Sequence, residues 1–359
     1  AKTVFNKISI CVTSMNRLHH LAQTLPQNLA DNRSYPNLEI VLLDYNSSDG
    51  LEGWARAHLG DWIEAGRLVY FKTTEPAHFK RSHARNLAIR LASGDIVCTV
   101  DADNFTGRGF AHYVNERFNR YSGIYLRPDF DGTHMRLRDA FGRICMRRDD
   151  FLKVEGYDER LVEYGYEDVD LCARLEKLPL KATFIEDDRF LRYISHSNIE
   201  RVGNGPILSQ VAELLRGKER DQKDESLLYL LRDNSFLWLG FRVDGLSMQG
   251  QWTQQDGQLR LVCEQGVTAS LEIEKSGGSY TIAKSASKLR LQPSNDIEFS
   301  SNVILEHVIQ RNEQRHLGNL GLADYRVNAG SFGEAKVSRN FGPEKLEVER
   351  ASGELGKRP

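Results

Sequence analysis

Over residues 1–200 the apolar positions follow two alternating rhythms. Ile8-Ser9-Ile10-Cys11-Val12, Leu38-Glu39-Ile40-Val41-Leu42-Leu43 and Leu68-Val69-Tyr70-Phe71 are short, nearly unbroken apolar runs, as strands buried on both faces require. Between them, Leu18 to Asn28, Leu51 to His58 and His83 to Leu91 read as helices. Pro26 is expected to interrupt the first helix and Ser93-Gly94 to close the third. A fourth strand runs from Ile96 to Val100. The alternation predicts an α/β fold, a largely parallel sheet with helices on both faces. Ligands of such sheets bind beyond the carboxyl ends of the strands. Thr13, Asp44 and Asp101 fall at those ends, on one rim.

Further along, residues 139–145 read as a strand and Asp149-Asp150-Phe151 opens a short helix. Leu171, Leu175 and Leu178 mark another helix, with Glu167 to Asp170 at its positive end. Residues 182–196 read as a strand ending at His196. The composition shifts near residue 200. Residues 207–239 read as two helical stretches separated by the charged segment Lys218 to Glu225, and residues 241–304 as short strands of a small β sandwich or barrel. Residues 305–359 fit no element. The expected domains are therefore 1–205, a helical extension 206–240, and a β-rich region 241–359.

A net charge of −2 with 27% charged residues gives no nucleic-acid footprint. The five cysteines are scattered and mostly set in apolar runs, as reduced core thiols of a cytosolic protein are. No apolar run reaches the length of a membrane span, and the N-terminus lacks a signal pattern. A soluble intracellular protein is expected, with peripheral contact at the inner face of a membrane left open.

The candidate chemistry begins at Asp101-Ala102-Asp103. Residues i and i+2 of a strand share a side, roughly 6.5–7 Å apart, so both carboxylates can face one pocket. Two such anions repel unless a cation bridges them, and hard oxygens suit Mg²⁺ or Mn²⁺ shared with substrate phosphates. An ordinary turn after a strand has the same residues.

The ordered set Thr13-Ser14-Met15-Asn16-Arg17, Asp44-x-x-Ser47-x-Asp49-Gly50, Ala84-Arg85-Asn86, Asp101-Ala102-Asp103, Glu167-Asp168 and His196 resembles the GT-A glycosyltransferases of family 2. The second half is similar to the C-terminal motif of galactosyl- and N-acetylgalactosaminyltransferases. The resemblance covers residues 5–200. It implies a Rossmann-like GT-A domain transferring a hexose or N-acetylhexosamine from a UDP-sugar to a glycan or glycoconjugate hydroxyl, with inversion, in bacterial-type polysaccharide synthesis. It also implies Asp101, Asp103 and His196 at the metal, with Mn²⁺ favoured over Mg²⁺ by the histidine. Asp168 corresponds to the catalytic base, with Glu167 beside it. Thr13, Asn16, Arg17, Asp44, Arg85, Asp101 and Ala102 correspond to nucleotide-sugar contacts, Arg85 pairing the pyrophosphate.

Many relatives carry an acidic residue where this chain has Tyr45, which leaves the uracil contact open, with a tyrosine stacked on the base as the alternative. Helix capping is the plainer reading of Glu167 and Asp168; Arg81 shares with Arg85 and Asn86 a helix whose first turn faces the same rim, with a solvated face as its plainer reading. Within residues 104–140, Arg108, Arg117, Tyr125, Arg127, Arg136 and Arg138 are read as an acceptor-cleft wall or a solvated face. Two other functions compete. A nucleotidyltransferase would want a Gly-rich loop after the first strand, which Thr13 to Arg17 lacks. A glycan-binding or assembly protein with an inactive front domain would lack the acidic motifs, and this chain keeps them. Donor sugar, acceptor, linkage and oligomeric state are not legible.

Overall fold

The computed structural model describes residues 4–130, 139–218, 225–243, 246–264, 270–282 and 289–350. The chain forms two units, Ala1–His196 with Val308–Pro359, and Ser197–His307.

The first unit begins with β1 (Ile8–Ser14), α1 (Leu18–Asp31), β2 (Leu38–Tyr45), α2 (Leu51–His58), α3 (Gly60–Glu64), β3 (Leu68–Thr73), α4 (Arg81–Leu91) and β4 (Ile96–Thr99). It continues with β5 (Asn104–Phe105), α5 (Phe110–Arg120), β6 (Ile124–Arg127), β7 (Cys145–Arg147), α6 (Arg148–Lys153), α7 (Glu167–Lys177), β8 (Lys181–Phe184) and β9 (Arg192–Tyr193). All eight residues of β2 are buried. Alternation sends Ile40 and Leu42 into the layer of Leu21 and Leu25 on α1, and Val41 and Leu43 into the opposite layer with Leu87 of α4 and Leu171 of α7. Each such side chain contributes about 1.5–3 kcal/mol by its burial. Pro26 lies inside α1 without ending it, because Leu21, Leu25 and Leu29 bury the helix on both sides of the proline.

The second unit holds α8 (Asn198–Val202) and eight strands, β10 (Val211–Lys218), β11 (Glu225–Leu231), β12 (Ser235–Val243), β13 (Leu246–Gln255), β14 (Gln258–Cys263), β15 (Ser270–Ser276), β16 (Ser279–Ile282) and β17 (Arg290–Pro293). These close into an antiparallel barrel, β17 returning to β10. Leu228, Leu230, Phe236, Trp238, Leu261 and Ile273 fill it, as eight strands allow. The helical extension expected at 206–240 is therefore corrected. Leucine favours helix by intrinsic propensity, but here Leu228 and Leu230 pair across to Trp238 and Phe236.

The last elements are α9 (Ile297–Leu320), β18 (Ala335–Arg339) and β19 (Lys345–Val348). β18 pairs antiparallel with β3, so the C-terminal segment completes the first unit's sheet, in the order β19-β18-β3-β2-β1-β4-β7-β6-β8. A β-rich domain over 241–359 is corrected accordingly. β1, β2, β3 and β4 run parallel. The strand expected over 139–145 begins only at Cys145, and residues 131–138 lie outside the described residues. The strand expected over 182–196 divides into β8, a 3₁₀ turn at Asp188–Phe190, and β9, which pairs with β5. All five cysteines are free. Among the described residues no helix is long and apolar enough to cross a membrane.

Candidate active site

β4 ends at Thr99, and Asp101 to Asn104 form a turn closed by the Asn104 amide on the Asp101 carbonyl at 3.0 Å. The two aspartates are thus not successive residues on one face of a strand, and they serve different partners. Asp103 Oδ2 lies 2.6 Å from His196 Nε2, while its Oδ1 accepts from Asn104 Nδ2 at 2.8 Å. The β5–β9 pairing, Asn104 opposite Tyr193, and the Ile194 amide on the Asp103 carbonyl at 2.8 Å bring His196 there. A nearly buried carboxylate oxygen against an imidazole nitrogen is a donor set that fits a Mn²⁺-like cation. His20, in the first turn of α1, sets its ring 5.7 Å from that of His196, and Arg17 Nη1 lies 3.4 Å from His20 Nδ1.

Asp101 faces α4 instead. Its Oδ1 accepts from Arg85 Nη2 at 2.8 Å and lies 3.9 Å from Arg81 Nη1. Arg85 Nη1 donates at 2.8 Å to Asp168 Oδ1, so one buried guanidinium joins the Asp-x-Asp turn to the first turn of α7. Arg81, one helical turn away, places Nε 3.3 Å from Glu167 Oε1 and its guanidinium over the Tyr164 ring at 4.8 Å. The site therefore sets two arginines against three carboxylates. Burial drives the Asp168 carboxyl upward, Arg85 opposes it, and Glu167 and Asp101 add to the rise, leaving it at about 6. At Asp101 burial also pushes upward, but Arg85 and Arg81 outweigh it and hold the carboxyl below the usual range.

The nucleotide side departs from expectation in two places. Asp44 is fully buried, its Oδ2 accepting from the Tyr70 hydroxyl at 2.6 Å and its Oδ1 from the Ser47 amide at 2.8 Å. It braces the loop after β2 from beneath. Tyr45 is fully buried too, bonded to His83 Nδ1 at 2.7 Å and edge-on to Phe79, so it is no stacking platform. Asn16, at φ +57°, accepts from the Ser48 amide at 2.7 Å, and Asp49 Oδ2 accepts from the Leu18 amide at 2.7 Å, capping α1. These contacts fasten the two loops together beside half-buried Thr13 and Arg17. Ala102 is buried, its carbonyl accepting from Thr24 Oγ1 at 2.6 Å.

Among the residues read as a cleft wall, Tyr125 is instead fully buried with its hydroxyl on Glu176 Oε1 at 2.6 Å, Arg117 and Arg127 stack on Tyr113 and Phe130, Arg108 is exposed, and Arg136 and Arg138 lie outside the described residues. Arg81, placed on the rim-facing helix with a solvated face as its alternative, lies beside Asp101 and Glu167. Its spacing of four from Arg85 was the available signal.

Residues 132–199 match the family described as the N-terminal domain of galactosyltransferase. Residues 9–134 match a glycosyl transferase family 2 domain. The mixed sheet with its flanking helices is the GT-A arrangement, and the motifs quoted above lie within the matched residues. The amylovoran biosynthesis glycosyltransferase AmsB of Erwinia amylovora is 24% identical in an alignment of 215 positions that covers 49% of this chain and 66% of that protein. The match thus spans just under two thirds of that relative's length. Among solved structures, the mannosyltransferase PcManGT of Pyrobaculum calidifontis, in complex with GDP-Man and Mn²⁺, is 21% identical with a TM-score of 0.41, over 52% of this chain and 56% of that one. TarS of S. aureus is 14% identical with a TM-score of 0.42, over 54% and 61%.

Proposed function

We propose that the first unit is the catalytic module of a metal-dependent, inverting glycosyltransferase that moves a hexose or N-acetylhexosamine from a UDP-sugar to a glycan or glycoconjugate hydroxyl, in bacterial-type polysaccharide synthesis. The observation that carries this reading is Arg85, which ties the Asp-x-Asp turn to Asp168 through two 2.8 Å hydrogen bonds. A phosphate-binding turn and a candidate base are thereby held on one rim. AmsB, named for amylovoran biosynthesis, supports the polysaccharide assignment.

Asp103 and His196 would hold the metal, with Asp101 beside them. When bound, a Mn²⁺ ion supplies Lewis-acid stabilisation to the diphosphate leaving group. Asp168 takes the proton of the acceptor hydroxyl as that oxygen bonds to the anomeric carbon and the bond from this carbon to the diphosphate oxygen breaks. One base and one displacement give inversion. Arg85 and the Tyr157 hydroxyl, 3.4 Å from Asp168 Oδ1, orient the carboxylate. Arg81 holds Glu167 close by and meets Tyr164, which offers the acceptor an aromatic edge. Thr13, Asn16 and Arg17 line the donor side, and Asp44 contributes from beneath the loop.

Titration with UDP, with and without Mn²⁺, tests the reading in wild type and in D103A. Metal-dependent binding that D103A abolishes, followed by transfer or hydrolysis of a UDP-sugar, is the expected result. Absence of UDP binding with every divalent metal tried would remove the donor assignment.

A further inference from the structure

The loop entering the acidic pair is held in an unusual backbone conformation. Glu163, Gly165 and Tyr166 have φ of +69°, +97° and +67°, immediately before Glu167 and Asp168. A left-handed backbone is costly for Glu and Tyr and persists only where the surroundings impose it. Here the surroundings are α9. Nδ2 of buried Asn312 lies 3.0, 3.1 and 3.0 Å from the carbonyls of Val162, Tyr164 and Gly165. A Cβ on Gly165 would sit 2.9 Å from Ile309 Cγ1, so helix and loop are in close contact. The Tyr166 hydroxyl donates to Glu313 Oε1 at 2.8 Å. Asn319 Nδ2 donates to Asp158 Oδ2 at 2.8 Å and Asp170 Oδ1 at 2.9 Å, bracketing the loop at both ends. Ile309, Asn312, Glu313, His316 and Asn319 recur at helical spacing, one face directed at this one loop.

We propose that Asn312 is a positioning residue for the transfer reaction. By donating to three carbonyls of the 162–165 segment it imposes the left-handed path that delivers Asp168 to Arg85. The inference rests on the assignment of Asp168 as the base. The contact comes from a helix more than a hundred residues downstream.

The test compares wild type, N312D and N312S by kcat, by donor KM, by Mn²⁺-dependent UDP affinity, and by hydrogen exchange of peptides covering residues 158–168. N312D replaces a two-proton donor with an acceptor facing carbonyls, and N312S keeps one weaker donor. N312D is expected to lower kcat by about 100-fold, the scale of a misplaced catalytic group. UDP affinity should stay within twofold, exchange should rise in the 158–168 peptides alone, and N312S should fall between. Unchanged kcat with unchanged exchange overturns the proposal. So does a parallel loss of kcat and UDP affinity with exchange raised throughout the unit, which marks a general stability defect. If N312D does not fold, N312S is read by the same criteria. If wild type turns over no sugar nucleotide, the assigned function fails, and the exchange pattern alone decides whether Asn312 sets the loop.

Discussion

The pH dependence of turnover offers a direct quantitative check on Asp168. An ordinary carboxylate, near pH 4, is ionised throughout the neutral and mildly acidic range. Asp168 stands at about 6, because burial dominates and the Glu167 and Asp101 carboxylates reinforce it against Arg85. About a tenth of it is then ionised at pH 5 and about nine tenths at pH 7, so kcat/KM should fall roughly tenfold between these values. A base at the ordinary value would lose less than about a tenth of its activity over the same interval. The assay is initial-rate transfer or UDP-sugar hydrolysis at saturating Mn²⁺, with metal binding measured at each pH so that ligand protonation is accounted for. D168N should remove the acid limb and lower kcat by about 10²–10⁴-fold. Stability moves in the opposite sense. A carboxyl raised in the folded state favours the protein when protonated, so its contribution is lost as pH rises from about 4 through about 6. D168N should therefore hold its Tm near the wild-type value at pH 7.5 while losing turnover. A profile flat from pH 5 to 7, or a D168N variant within tenfold of wild type, would refute the assignment of Asp168 as base.

N104A removes the 2.8 Å bond to Asp103 Oδ1 and should weaken Mn²⁺ binding by about 10–100-fold in calorimetry without abolishing it, as loss of a supporting hydrogen bond does. R85K cannot fork between Asp101 and Asp168 and leaves buried carboxylates under-compensated, which should cost about 3–5 kcal/mol in urea unfolding and more than tenfold in kcat. Ending the chain at residue 240 removes β18, Phe332 and Val337 from the first unit's core, so the truncated protein should be insoluble or should unfold non-cooperatively by circular dichroism.

The strand–helix alternation of residues 8–99 was readable because the decisive information is local. α2 spans Leu51–His58, the residues its periodicity marks, and β2 is as buried as its unbroken apolar run requires. The barrel strands were not readable in this way. Leu227 to Leu231 is leucine-rich and bounded by charge, and pairing with Phe236 to Leu239 on one side and with β10 on the other makes it a strand. Asp44 shows how a residue can be placed correctly on its element and misjudged in direction. Leu42 lies opposite Tyr70 and Asp44 opposite Lys72, and that register brings the Tyr70 hydroxyl to the carboxylate.

The candidate site divides along the same line. Asp101, Asp103, Glu167 and Asp168 announce themselves as acidic pairs beside apolar periodicity, yet their working partners are set by long-range contacts. His196 was legible through family resemblance alone, since the two-residue β5–β9 ladder that delivers it to Asp103 has no local signature. Asn312 had no signature at all. It is one polar residue in a mixed helix, and its role follows only from three carbonyls that lie about 150 positions earlier in the chain. The matched motifs therefore mark the acidic pairs, while the proposed aiming of Asp168 rests on a helix reached only after the chain has built its barrel and returned. A search for the motifs alone ends before the segment that, in the proposed mechanism, orients Asp168.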